Sequence, residues 1–135
     1  MNITDVIWRN SHAWPEREAV IWDGKSLSYA QLRHLAEKIG GRLHRQGIRR
    51  GMCVGISTEN ALFTLGTVLA LARLGATSTL VDKRHPSARK EEWAGLLGMG
   101  AIIQDASDTW RSAARDLLYV CRLYTSDAAD EGLGV

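Results

Sequence analysis

The chain has 135 residues, of which 45% are hydrophobic and 24% charged, and its formal charge is +2. That length suffices for one domain with a buried core, and the composition is that of an ordinary globular protein. So small a positive charge gives no electrostatic footprint for nucleic acid.

The first residues, Met1-Asn2-Ile3-Thr4-Asp5, carry no basic segment and no following small-residue cleavage site, so a cytoplasmic location is the expectation. Ile3, Val6, Ile7 and Ala13 are spaced for a short amphipathic helix that stops before Pro15. Ala19-Val20-Ile21-Trp22, then Asp23-Gly24, then Ser26-Leu27-Ser28-Tyr29 read as a β-hairpin, because Asp-Gly between β-type runs favours a tight turn. Ser28 and Gln31 have the spacing of a capping box and open a helix whose apolar face is Leu32, Leu35, Ala36, Ile39 and Leu43. Gly47 stands where that helix would end in a left-handed residue.

Positions 52–57 are apolar on both faces up to Ser57, as a central parallel strand is. Positions 61–74 form the most apolar stretch, about four helical turns long and containing Thr64, Gly66 and Thr67, which suits a buried helix and not a membrane span. Gly75 closes it. Strands are expected at 76–81 and 101–104, with a helix from Pro86 to about Leu97 between them, and a turn and last helix over 105–119. Strand, helix, strand, helix, strand at this spacing predicts an α/β fold: a three-layer, parallel-sheet subdomain preceded by a small hairpin.

The end of the chain is of another kind. Cys121-Arg122-Leu123-Tyr124-Thr125-Ser126-Asp127-Ala128-Ala129-Asp130-Glu131 resembles one open-frame translation of the transposase-end adapter used in sequencing libraries. Residues 121–135 are therefore expected to be a non-native, disordered tail, with residues 1–120 as the domain proper. Cys53 and Cys121 make no metal or redox spacing and are expected as free thiols.

Two elements resemble signatures of the adenylate-forming superfamily, which includes acyl-CoA synthetases, peptide-synthetase adenylation domains and luciferases. The first is Leu27-Ser28-Tyr29-Ala30-Gln31-Leu32, which coincides with the capping box. The second is Ala70-Leu71-Ala72-Arg73-Leu74-Gly75-Ala76-Thr77-Ser78-Thr79-Leu80-Val81-Asp82. Gly47-Ile48, Gly51, Val54-Gly55-Ile56 and Asn60 match in order and spacing between them. The chain departs from the family's pattern at Glu59, Leu80 and Lys83, where proline is usual, and at Arg73, where lysine is usual. The resemblance implies that residues 1–120 are part of an AMP-binding domain. The full-length enzyme would use ATP and Mg to activate a carboxylic acid as acyl-adenylate and pass it to a thiol of CoA or a carrier protein.

The family's phosphate loop, rich in Ser, Thr and Gly and ending in proline-lysine-glycine, does not occur in this sequence, nor do its later acidic and lysine motifs. No catalytic, cofactor-binding or metal residue is assigned, and the chain alone is expected to be inert. Gly40-Gly41 falls inside a helix, and Gly95, Gly98 and Gly100 read as a helix end and loop instead of a dinucleotide fingerprint. His12, His34, His44 and His85 show no ligand pairing, and Ser28 and Ser57 lack a nucleophile elbow. Arg42, Arg45, Arg49 and Arg50 read as a solvated helix face and loop. Lys83-Arg84-His85 follow a strand end, where open α/β sheets take ligands, though Arg89 and Lys90 make the surroundings generally polar. Trp8, Trp14, Trp22, Trp93 and Trp110 are scattered, and Trp93 with Leu96 and Leu97 reads as core. The competing function is a non-catalytic α/β binding or interaction domain. The genomic reading frame past Val120 separates the two.

Overall fold

The computed structural model describes residues 2–122. Helix α1 (Asp5–Ala13) precedes a hairpin of β1 (Glu18–Trp22) and β2 (Lys25–Ser28). Then follow α2 (Tyr29–Arg45), β3 (Cys53–Ser57), α3 (Ala61–Leu74), β4 (Thr77–Leu80), α4 (Ser87–Leu96), β5 (Met99–Asp105) and β6 (Leu118–Arg122). The hairpin is antiparallel, and its turn residues Asp23 and Gly24 both have positive φ, as the Asp-Gly pair leads one to expect. The remaining four strands form one sheet in the order β4-β3-β5-β6, parallel throughout.

Local signals place the two long helices. At α2, the Gln31 N–H donates to Ser28 Oγ at 3.2 Å and the Ser28 N–H donates to Gln31 Oε1 at 2.9 Å, so the capping box is complete. Ser28→Ala is expected to lower the unfolding free energy by about 1 kcal/mol, readable as a shifted urea midpoint at unchanged slope. At α3, Asn60 Oδ1 accepts from the Phe63 N–H at 2.8 Å. The helix ends on Gly75 at φ 81°, with Ala76 N–H on Leu71 O and Gly75 N–H on Ala72 O, the paired bonds of a Schellman end. Gly66 matters for a different reason: a Cβ there would meet Ile39 Cδ1 at 2.9 Å, so its missing side chain lets α3 lie close on α2.

Alternating side chains of β5 divide the core. Ala101 and Ile103 belong to one cluster with Leu35, Ile39 and Leu43 of α2, Leu62, Phe63, Ala70 and Leu71 of α3, and Val54 and Ile56 of β3. Ile102 points the other way, into a cluster with Met99, Ala94 of α4 and Leu117. Helices α2 and α3 thus cover one face and α4 the other, which gives the three-layer α/β architecture with a hairpin ahead of it.

The chain differs from expectation in three places. Residues 106–117 form no helix, and the expected last helix is replaced by an irregular segment and the parallel strand β6. The reason is a two-residue period: Leu118 and Val120 join the α2/α3 cluster, while Leu117 and Tyr119 join the α4 cluster. Strand β6 also runs two residues past the expected domain limit at 120, and takes in Cys121 and Arg122. The rest of the expected adapter-like tail, 123–135, lies outside the described residues. Finally, Trp93 is not core. It is 40% exposed, as is Leu97, while Leu96 is 74% exposed. Helix α4 is short and buries only Lys90 and Ala94, so its larger apolar side chains fall outside the contact with the sheet.

Candidate functional site

The four parallel strands all end on one side of the sheet, where the loops after β3 and β4 frame a cleft of about 590 Å³. From β3 the chain leaves through α3 toward β4 on one side, whereas β5 is followed by β6 on the other. The neighbours β3 and β5 therefore form a switch point, the place where open α/β sheets leave a crevice beyond their C-terminal ends. The cleft beside it is lined by Ile56, Thr58 and Glu59 after β3, Thr64 of α3, and residues 80–85 after β4.

A buried charge network closes the crevice. Asp105, the last residue of β5, is fully buried. Its Oδ2 accepts from Lys83 Nζ at 2.8 Å and from the Glu59 N–H at 3.0 Å. Arg122 Nη1 at the end of β6 lies 3.6 Å from Asp105 Oδ1. Asp108 returns the chain to the same point: its Oδ2 accepts from the Asp105 N–H at 3.1 Å and its Oδ1 lies 3.5 Å from Lys83 Nζ. Contact with Asp105 raises the Lys83 pKa above the usual lysine value, against the opposing effect of desolvation. On the rim, Arg84 hydrogen-bonds Asp82 with both side chain and backbone and holds that carboxyl down to about 2. Both groups are solvent-facing, so this pair shapes the rim without anchoring it.

The residues singled out from sequence distribute unevenly around this site. Lys83, Arg84 and His85 line the cleft, and Lys83 is its hub. His34 and His44 are exposed on α2, and His12 of α1 meets Arg33 of α2 at 2.9 Å; none of the three lines the cleft. Arg49 donates to the carbonyls of His44 and Ile48, and Arg42 and Arg45 sit in the last turn of α2, so the basic run closes a helix end and complements its dipole. Ser28 is a cap and Ser57 is buried in β3. Asp105, Asp108 and Arg122 were not anticipated. A lone aspartate closing an apolar strand was the available signal for the first of them.

The cofactors implied by the sequence can be tested against these side chains. Among the described residues no group of three His, Cys, Asp or Glu side chains converges to hold a metal ion. The carboxylates of this edge are already matched by Lys83, Arg84 and backbone amides. They do not make a triphosphate–metal site, and no step through ATP or Mg is assigned to them.

The model of the AMP-binding enzyme family matches residues 7–132. The chain belongs to this family. Among its relatives, a nonribosomal peptide synthetase of Metarhizium robertsii is 33% identical over 107 residues, 78% of this chain and 1% of that protein. One from Aspergillus carbonarius is 31% identical over 131 residues, 93% of this chain and 7% of its own length. Syringomycin synthase of Pseudomonas syringae is 30% identical over 115 residues, which cover 85% of this chain and 19% of that one. The N-terminal subdomain of Klebsiella oxytoca NpsA in complex with 3-hydroxybenzoyl-AMSN superposes with a TM-score of 0.80 at 22% identity, over 89% of this chain and 30% of that one. The O-succinylbenzoate coenzyme A synthetase of Bacillus subtilis, in complex with ATP and magnesium, gives 0.77 at 18% identity, over 94% of this chain and 33% of its own. At such identities the likeness to these two structures concerns the fold alone. The chain thus spans a third or less of each of these AMP-binding relatives.

Proposed function

We propose that this chain is the N-terminal part of a cytoplasmic, ATP-dependent acid–thiol ligase. In the whole enzyme a carboxylate attacks the α-phosphate of ATP, giving an acyl-adenylate and pyrophosphate. A thiol of CoA or a carrier protein then takes the acyl group and releases AMP. Mg accompanies ATP in that reaction. The family match across residues 7–132 carries this reading. Of the two acceptors, the peptide synthetases among its relatives favour the carrier-protein thiol. No helix among the described residues is long and apolar enough to cross a membrane.

Acid-dependent exchange of labelled pyrophosphate into ATP tests the proposal. The 135-residue chain alone is expected to show none with any carboxylic acid, because its sequence lacks the phosphate-binding loop on which preorganised stabilisation of the transferred charge depends. The polypeptide encoded by the genomic frame continued past this region is expected to show exchange with at least one acid in a panel. Exchange by the short chain would overturn its reading as an incomplete enzyme. A natural stop near residue 120, or a continued polypeptide without exchange, would favour the non-catalytic α/β binding domain.

A further inference from the structure

Glu59 from the loop after β3 and Leu80 and Lys83 from the end of β4 and its loop line one cleft. Two of them face each other, with Lys83 Nζ 3.9 Å from Glu59 Oε1. Both loops are held by a single carboxylate oxygen, Asp105 Oδ2, which receives the Glu59 amide from one and the Lys83 ammonium from the other. Asp108 adds a second acceptor for the ammonium.

We propose that Lys83 is a positioning residue, which clasps the loop after β4 to the ends of β3 and β5 and so sets the width of the ligand-side cleft by charge. That the cleft serves an acid-activating enzyme rests on the function proposed above; the clasp does not. A charge clasp titrates. The groups around Lys83 are Glu59 from the loop after β3, Asp82, Arg84 and His85 from its own loop, Asp105 at the end of β5, Asp108 after it, and Arg122 from β6. Because the folded pKa of Lys83 is raised, its contribution is fully present below the ordinary value of 10.5. It is lost only as pH rises through the higher folded value.

Amide exchange and carboxyl NMR on the intact chain test this. Lys83→Met is expected to speed exchange at residues 58–60 and 82–85 by about tenfold or more, leave Leu35 and Ile39 in α2 within about twofold, and be rescued at both loops by Lys83→Arg. The carboxyl carbons of Asp105 and Asp108 are expected to shift in a step above the ordinary lysine range in the wild type, and to show no such step in Lys83→Arg, whose guanidinium stays charged. Unchanged loops in Lys83→Met, loops and α2 loosening together, or an alkaline step that persists in Lys83→Arg would each overturn the proposal. If Lys83→Met does not fold, the carboxyl titrations of wild type and Lys83→Arg decide by themselves. No nucleotide is used, so absent pyrophosphate exchange leaves the clasp standing, and a failed clasp leaves the ligase reading standing.

Discussion

Replacing Asp105 by alanine is expected to lower the unfolding free energy by about 3–5 kcal/mol, the cost of breaking a buried ion pair by removing one partner. The carboxylate is fully buried and Arg122 beside it is 5% exposed, so water cannot take the place of the lost acceptor. The Glu59 amide loses its acceptor in the same step, and Lys83 loses its shortest one. Asp105→Asn keeps an oxygen in position and is expected to cost less than alanine. A domain of this size has roughly 5–15 kcal/mol in total, so the alanine variant should melt at much lower urea or fail to fold at all. A loss below about 1 kcal/mol would show that the network is not what closes the crevice. Asp82→Ala is the contrasting case. Its pair with Arg84 lies in solvent, and no measurable change is expected.

Leu71→Ala carries the second large effect, about 2–5 kcal/mol. Leu71 has no exposed surface and lies in the cluster that joins α2, α3 and three strands of the sheet. Its neighbours belong to several elements at once and cannot all move in to fill the space, which puts the cost in the upper half of that range. Leu96→Ala removes the same atoms from a side chain that is 74% exposed and should stay within about 0.5 kcal/mol. Equal losses for the two leucines in urea titrations would mean that the α3 face is not packed as described.

These contrasts also mark what could be read from the chain. Helix α3 was placed to the residue by its apolar run and by Gly75, whose left-handed φ closes it; the Asn60 cap at its start is just as local but went unread. The start of α2 was legible locally, through Ser28 and Gln31. Strand β6 was not: its alternation covers only Leu117 to Val120 and adjoins residues that read as an adapter. Trp93, Leu96 and Leu97 have helical spacing, but spacing says which side chains share a face and not whether anything covers them. The network at Asp105 lay further out of reach. Lys83 and Asp105 are 22 residues apart, and Glu59 and Asp105 are 46 apart. Their meeting depends on the strand order β4-β3-β5, which no local signal states.

The same order has a consequence for synthesis on the ribosome. Strand β3 is central, yet its partner on one side, β5, begins only at Met99, so Val54 waits for Ala101. At about 5–20 residues per second, roughly 2–9 s pass between the emergence of the two strands. For that interval the nascent chain can pair β3 with β4 alone, and the other edge of its most apolar strand stays open inside the cell. Helix α3, whose ends are both set by nearby residues, can form during this delay and cover one face of β3 before the sheet is complete.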